Sequence, residues 1–239
     1  MEISPDNIIV YAREPWVINA TLLFTWLTMG LLVGVSAWVT QHLSVPPRLP
    51  AWQNILELVV DGLNDQIRDI TQQDPEPYLS FVGTLFLFIL TANLLAVVPG
   101  YQAPTGSLST TTALAICVFI SVPIFGIRSL GLGRYLKSYL EPTPLMLPFQ
   151  IIGEFSRTLA LAVRLFGNIM SSNLIAAILL SLVPLFVPVV MQILGLVFGV
   201  IQAYVFAVLA LVYIASATSV QQQTPRSSTP VSIQENDYE

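Results

Sequence analysis

The chain has 239 residues, of which 54% are hydrophobic and only 10% are charged. Because a soluble domain normally carries about 25% charged residues, this composition excludes an ordinary water-soluble globule and predicts one integral membrane domain. The formal net charge is −5, and the sequence has no block of basic residues. Both features argue against a nucleic-acid-binding surface.

The first apolar run predicts a transmembrane helix over residues 17–39. The segment before it is polar and acidic, and it lacks the basic start and apolar core of a cleaved signal peptide. We therefore expect this first span to be retained. Trp16 and Trp38 lie near its two ends, which suits the preference of indole rings for the membrane–water interfaces.

Residues 52–72 have a different pattern from the runs on either side. Apolar side chains recur there at helical spacing while acids occupy other positions, which predicts an amphipathic helix too charged to cross a bilayer. We expect it to lie along the membrane surface or against a partner. The alternative is a water-exposed helix with one packed face. The apolar positions are Ile55, Val59, Leu63, Ile67 and Ile70.

Four further apolar stretches predict spans over residues 78–98, 110–127, 147–182 and 188–217. A loop without charges joins the first two of them, and a polar connection over residues 128–148 leads to the third. The last two are longer than the roughly 20 residues that a helix needs to cross the hydrocarbon, so we expect them to tilt strongly.

The predicted fold is all-α, with five transmembrane helices and one surface helix. We expect a single membrane domain over residues 1–220 and a polar, disordered tail over residues 221–239. Five crossings put the two termini on opposite sides of the membrane. Most of the basic residues that lie outside the spans then fall on one side of the membrane, and only Arg13 falls on the other. The positive-inside rule then predicts a cytoplasmic or stromal C-terminus and an outer or lumenal N-terminus.

The last two spans contain three charged residues, Glu154, Arg157 and Arg164. Glu154 and Arg157 are three positions apart, so they share a helix face and can form a local ion pair near the cytoplasmic end. Arg164 lies about 15 Å beyond Glu154 along the helix, without an acid within two turns. A guanidinium stays protonated, and a charge in hydrocarbon is costly, so we expect its counter-charge on a partner or in water.

Several polar side chains are predicted near Arg164. Asn168 and Ser171 lie on the same span as Arg164 and share its helix face. Gln202 is the most polar residue in the middle of the last span, and its amide could face Arg164. Each one alone is typical of an interhelical hydrogen bond. Together with an arginine that lacks a counter-charge, they favour a functional site. These residues are Asn168, Ser171, Gln202, Tyr204 and Tyr213.

Four motifs resemble those of a known family. The chain contains RLFGN at residues 164–168, PTPLMLP at 142–148, PTGSLSTTTALA at 104–115 and IQAYVF at 201–206, in the order in which the family has them. Residues 16–217 therefore resemble subunit a of F-type ATP synthases. The motifs are most similar to bacterial, cyanobacterial and chloroplast forms, which implies a bacterial inner membrane or a thylakoid membrane.

The resemblance implies an ion-translocating subunit that faces a rotating c-ring, with b-type peripheral stalk subunits and membrane lipid as further neighbours. Arg164 would lie between two aqueous half-channels, next to Asn168 and Gln202. A c-subunit carboxylate would release its ion there, because a nearby positive charge lowers the pKa of a carboxyl group. Rotation would drive ATP synthesis in a separate soluble sector. We expect no cofactor and no nucleotide chemistry in this chain, which lacks a phosphate-binding glycine loop.

Three positions depart from the pattern of proton-driven relatives. Asn173 takes the place of a frequent Glu, Ser107 that of a frequent Asp, and Gly195 that of a His found in some bacterial forms. Amides and hydroxyls can hold water or Na⁺ but do not titrate near neutral pH. We therefore keep H⁺ and Na⁺ as alternative ions, and we expect no metal beyond transient Na⁺. The expected half-channel residues are Glu154, Arg157, Ser107, Ser171, Asn173, Tyr204 and Tyr213.

Two alternative functions stay open from the residues. One is a secondary transporter or channel that acts alone and binds an anionic substrate through Arg164, although the sequence has no inverted repeat to support it. The other is a non-catalytic membrane scaffold in which Arg164 forms a structural pair with a neighbouring protein.

Overall fold

The structure is a computed structural model that describes residues 9–13, 16–42, 51–98, 100–140, 146–182 and 187–218. Within these residues, a short N-terminal hairpin precedes seven α-helices. In chain order the elements are β1 (Ile9–Arg13), β2 (Trp16–Asn19), α1 (Ala20–Gln41), α2 (Ala51–Thr71), α3 (Glu76–Leu95), a 3₁₀ turn (Pro104–Gly106), α4 (Leu108–Leu130), α5 (Leu132–Leu140), α6 (Met146–Leu182) and α7 (Val187–Thr218).

Five of the described helices, α1, α3, α4, α6 and α7, are long and apolar enough to cross a bilayer. Their ends lie within about three residues of the predicted spans, so the prediction of an all-α integral membrane protein is confirmed. Helix α6 has 37 residues and α7 has 32. At about 1.5 Å per residue, both are longer than the hydrocarbon is thick, which is consistent with the expected tilt.

Local residue choices set where α3 and α4 begin and end. Helix α3 has Pro77 in its first turn, where a missing N–H costs nothing. Ser107 caps α4, because its Oγ accepts a hydrogen bond from the Ser109 N–H at 3.2 Å. Helix α4 ends at Leu130 and is followed by Gly131, whose φ of 79° is a conformation that would be strained for a residue with a side chain.

The central core joins α3, α4, α6 and α7. Helix α3 and the second half of α7 run antiparallel, since Asn93 near the end of α3 contacts Gly199 while Tyr78 near its start shares a core with Ile214. Between helices in lipid, close van der Waals packing rather than burial from water supplies the stabilisation. The core residues are Leu85, Phe88, Ile89, Val118, Leu161, Leu165, Ala203, Phe206 and Ala210.

A second core at the Tyr78 end of α3 brings in α2 and α5. Ile67 of α2 is fully buried there, whereas Ile55 near the start of the same helix is 65% exposed. The predicted amphipathic helix therefore packs its apolar face against the bundle only in its second half. The buried members of this core are Ile67, Tyr78, Val82, Val122, Tyr135, Ala207, Leu211, Ile214 and Ala217.

The structure contains two features that the sequence analysis did not predict. The polar connection predicted over residues 128–148 contains a short helix, α5, whose Tyr135 packs on Gly126, a position where a methyl group would overlap the tyrosine ring. The first helix starts at Ala20 rather than residue 17, because Trp16–Asn19 pairs with Ile9–Arg13 as an antiparallel hairpin.

One further prediction, the disordered tail over residues 221–239, falls on residues outside the described ranges. The single membrane domain over residues 1–220 stays a prediction.

Candidate functional site

Arg164 lies on an exposed stripe along α6. Arg157, Asn168 and Ser171 follow the same stripe at helical spacing and are exposed as well. Leu161 and Leu165, by contrast, are at most 1% exposed and pack into the central core. The helix thus packs Leu161 and Leu165 against the bundle and presents Arg164 on its exposed side.

No hydrogen bond or ion pair joins Arg164 to any other residue in the described part of the chain. The acid on α6, Glu154, lies 3.9 Å from Arg157 instead, in the pair that the spacing of three predicts. Arg164 thus places a positive charge on the outer face of the described bundle.

Asn168 and Gln202 connect α6 and α7 one turn beyond Arg164. The Asn168 Nδ2 donates a hydrogen bond to Gln202 Oε1 at 2.5 Å. Gln202 is only 5% exposed, and its buried Nε2 has no partner among the described residues. The sequence suggested that Gln202 could face Arg164, and the structure shows its oxygen bonded to Asn168. The free N–H groups of Gln202 remain available to a further acceptor.

A cavity of about 490 Å³ begins at this pair and extends between α6, α7, the end of α3 and the loop of residues 100–107, which we call the α3–α4 loop. Asn173 and Gly195, two of the positions that depart from proton-driven relatives, line it. None of the described residues around it carries a formal charge, and most of its polar groups are amides and hydroxyls.

Glycines make room for the cavity and for the contacts at its edges. A methyl group on Gly199 would lie 2.7 Å from Cβ of Asn93, so this glycine lets α7 approach α3. At Gly106 it would lie 3.2 Å from Cγ2 of Ile169, whereas at Gly195 its nearest neighbour would be Oγ of Ser172 at 3.9 Å. Gly195 therefore leaves open space where a side chain would narrow the cavity.

Hydrogen bonds fix the α3–α4 loop on two sides. Asn93 donates from Nδ2 to the Gly199 carbonyl at 3.0 Å and accepts at Oδ1 from the Thr105 hydroxyl at 2.8 Å. On the other side, the Thr28 and Tyr101 hydroxyls are 2.7 Å apart, and Phe24 meets the Tyr101 ring edge-on at 4.9 Å. These contacts connect the cavity wall to α1, α3 and α7.

Tyr101 is the one titratable side chain among the described residues around the cavity. Burial raises the pKa of its phenol above the ordinary value of 10.0, and the hydrogen bond with Thr28 partly opposes that rise. The phenol therefore stays neutral throughout the physiological pH range. The cavity wall as described is uncharged over that whole range.

A second group of the predicted residues lies on the other side of Arg164 along α6. Arg157 pairs with Glu154 and stands over the ring of Tyr213, with Cζ 6.0 Å from the ring centroid. Tyr204 donates its hydroxyl hydrogen to Gln66 Oε1 at 2.7 Å, which connects α7 to α2. Arg164 thus stands between an uncharged polar cavity and a charged cluster.

The remaining predicted residues lie outside both groups. Ser107 is fully buried and caps α4, so it lies beside the cavity without lining it. Ser171 is exposed on the Arg164 stripe, and the neighbouring Ser172 lines the cavity instead. Sequence reasoning missed Asn93, whose signal was available as an asparagine inside an otherwise apolar span.

The described residues contain no group of three His, Cys, Asp or Glu side chains that could hold a metal ion. The oxygen ligands that the cavity offers come from neutral groups, including Gln102 and Asn173. Such oxygens suit a weakly held cation or ordered water better than a tightly bound transition metal.

Comparison with known proteins gives one consistent family. The family described as "ATP synthase A chain" matches residues 22–215. The chain is 73% identical to "ATP synthase subunit a 2" of Picosynechococcus sp., over 99% of this chain and 100% of the relative. It is 56% identical to "ATP synthase subunit a 2" of Acaryochloris marina over 97% and 99%. It is 54% identical to "ATP synthase subunit a" of Albidiferax ferrireducens over 94% and 97%.

Proposed function

This chain belongs to the ATP synthase A chain family, and on that premise we propose that it is the stator subunit that couples ion flow to rotation of a c-ring through Arg164. The observation that supports this proposal is the outward guanidinium of Arg164, which has no partner among the described residues. A charge on the face of a membrane helix is stable only against an opposite charge or water. A c-subunit carboxylate supplies that opposite charge.

The chemistry follows from the proximity of the two charges. When a carboxyl group reaches Arg164, the positive charge lowers the pKa of that group and favours its ionised form. The bound ion must therefore leave before the carboxylate passes. Arg164 also repels cations and so prevents a direct leak between the two sides. A potential of 100 mV contributes about 2.3 kcal/mol for each charge moved, which is the driving force for rotation.

Asn168 and Gln202 act beside the arginine in this proposal. Their hydrogen bond fixes the distance between α6 and α7 one turn from Arg164. The unpartnered Nε2 of Gln202 is a buried donor, so it suits a passing carboxylate or a water that solvates it. The two amides thereby position the carboxylate without adding a charge of their own.

The two groups of polar residues correspond to two half-channels. The uncharged cavity that includes Asn173 leads from the outer side to Gln202, and the cluster of Glu154, Arg157 and Tyr213 lies on the route to the cytoplasmic or stromal side. This assignment rests on the positive-inside distribution of charges, from which we infer that the N-terminus lies outside or in the lumen. The host membrane is a bacterial inner membrane or a thylakoid membrane. The further partners in this proposal are b-type stalk subunits and, indirectly, the soluble ATPase sector.

H⁺ is the ion that the family resemblance implies, and the cavity supports Na⁺ as a second candidate. The described wall of the cavity offers neutral oxygens and a phenol whose pKa lies above 10.0. Such a wall has no group that relays protons by titration near neutral pH. ATP-driven transport by the reconstituted complex distinguishes the two ions. A transport rate that does not change with Na⁺ concentration at fixed pH would exclude Na⁺ as the transported ion.

The decisive experiment is Arg164→Ala in the whole reconstituted complex. The proposal predicts that the complex assembles with its c-ring and that ATP-driven ion transport is lost. Failure of assembly would instead support a scaffold role for Arg164. Ion transport by the purified chain without a c-ring would support a transporter that acts alone. Ser181→Ala, a change at an exposed position near the far end of α6, is the matched control and should leave transport unchanged.

A further inference from the structure

Gln102 on the α3–α4 loop lines the cavity with an oxygen that has no partner. Its Oε1 atom is buried and accepts no hydrogen bond from any residue that the structure describes. A carbonyl oxygen removed from bulk water without a donor is unfavourable, so native proteins usually match such an atom with water, an ion or a ligand. Gln102 was not among the residues that the sequence singled out.

The loop holds this oxygen in place from both neighbouring sides. Directly before it, Tyr101 bonds to Thr28, and three residues after it, Thr105 bonds to Asn93. Within the loop, the Gly106 N–H donates to the Ala103 carbonyl at 2.9 Å. An acceptor in a loop that is fixed at both ends needs little reorganisation to bind a ligand, which favours binding.

The charge of the ligand expected at Gln102 follows from whether the unpartnered atom is a hydrogen-bond donor or an acceptor. Oε1 of Gln102 is an acceptor and matches a cation or a hydrogen-bond donor, whereas the unpartnered Nε2 of Gln202 is a donor and matches an anion. Gln202 lies one turn from the Arg164 level, where a positive ion is repelled. A cation in the cavity is therefore favoured at Gln102 and disfavoured at the Arg164 end.

The surroundings also select the kind of cation. Sites for Ca²⁺ and Mg²⁺ use carboxylates, and no described residue that lines the cavity has one. Neutral oxygens that replace part of a hydration shell are how channels hold monovalent metal ions. We propose that Gln102 Oε1 is a ligand for a partly dehydrated monovalent metal cation on its way to the c-ring, and that it sets the affinity of the cavity for that ion.

This inference rests on the proposed function of the same cavity, and the experiment separates the two. The whole complex is reconstituted in liposomes, and ATP-driven uptake of Na⁺ is measured at fixed pH over a range of Na⁺ concentrations, with choline as the replacing cation. Gln102→Leu keeps the approximate size of the side chain and removes the oxygen. The variant should raise the half-saturating Na⁺ concentration about tenfold, with a maximal rate close to that of the unchanged protein.

Two further variants make the result specific. Gln102→Glu adds a charge to the same position and should lower the half-saturating Na⁺ concentration. Gln192→Leu removes an exposed amide from the same cavity and should change it less than about threefold. An equal effect of Gln102→Leu and Gln192→Leu would show that general polarity matters rather than a site at Gln102, and would overturn the inference.

Other outcomes also decide the matter. Absence of ATP-driven Na⁺ uptake by the unchanged complex overturns the cation site, and so does an unchanged half-saturating concentration in Gln102→Leu. In either case the role of Arg164 stands if Arg164→Ala still abolishes coupling. Retained coupling in Arg164→Ala would contradict the proposed function itself. If the Gln102→Leu variant does not assemble with the c-ring, the test rests on Gln102→Glu. An unchanged half-saturating Na⁺ concentration in Gln102→Glu would then overturn the inference.

Discussion

Asn168 on α6 and Gln202 on α7 share a hydrogen bond of 2.5 Å one helical turn from Arg164. This is the point at which the exposed arginine stripe meets the cavity, because both residues line the cavity and Asn168 also lies on the stripe. A disturbance at either amide is therefore expected to affect both the arginine and the ion path.

Removal of either amide should slow transport by the same route. We expect Asn168→Ala and Gln202→Ala each to lower ATP-driven ion transport about 10- to 100-fold, because small misplacements of a reacting group have effects of that size. The double variant should be no slower than the slower single variant, since both changes break the same bond. Transport rates of the four complexes in liposomes measure this, and fully multiplicative losses would show that the two amides act independently.

Gly199 and Gly195 lie one turn apart on α7 and should respond differently to alanine. Gly199→Ala places a methyl group 2.7 Å from Cβ of Asn93, so α3 and α7 must separate, at a cost of about 1–3 kcal/mol. Gly195→Ala meets only Ser172 Oγ at 3.9 Å and should be tolerated. Thermal denaturation of the purified complexes compares them, and a similar loss of stability in both variants would refute the close approach at Gly199.

Asn93 should be harder to replace than its partner Thr105. Asn93→Leu leaves the Thr105 hydroxyl buried without an acceptor and removes the bond to the Gly199 carbonyl, which should destabilise the protein by about 1–3 kcal/mol. Thr105→Val breaks one bond and keeps the shape, so its effect should be smaller. The experiment compares midpoints of thermal unfolding. The order is wrong if Thr105→Val proves the more damaging change.

Tyr101 should make the protein lose stability at alkaline pH. Its pKa is raised above 10.0 in the folded chain, so its stabilising effect is complete below the unfolded pKa and is lost as the pH rises through the folded value. Tyr101→Phe removes the titrating group and should make the loss of stability above about pH 10 shallower. Thr28→Val breaks the same hydrogen bond but keeps the phenol, so the alkaline loss should persist. Unfolding midpoints as a function of pH test both, and identical curves for Tyr101→Phe and the unchanged protein would exclude this role.

The helices were predictable because their signal is local. Runs of apolar residues fix where α3, α4, α6 and α7 lie, and the bounds differ from the predicted spans by about three residues at most. Helix α5 was missed because it is short and charged, and its stability depends on the contact of Tyr135 with Gly126. The N-terminal hairpin was missed because its strands are five and four residues long.

The site was predictable in part. Arg164, Asn168 and Gln202 were found because a charge or amide in an apolar helix is conspicuous, and the outward direction of Arg164 became visible only when Leu165 was seen to face the core. The cavity depends on contacts between residues far apart in the chain, such as Asn93 with Gly199. Such contacts leave no periodic pattern, so neither the loop around Gln102 nor its fixation was predictable.

The bonds that hold the α3–α4 loop have a mechanical consequence. Three hydrogen bonds connect α1, α3, α7 and the loop, and none of them involves a residue of α6. They join Thr28 to Tyr101, Thr105 to Asn93, and Asn93 to Gly199. In the described part of the chain, α6 contacts its neighbours through apolar packing, the hydrogen bond from Asn168 to Gln202 and the contact of Arg157 with the Tyr213 ring. Displacement of α6 along the Arg164 stripe would break the bond from Asn168 to Gln202, but it would break none of the three bonds that hold the loop.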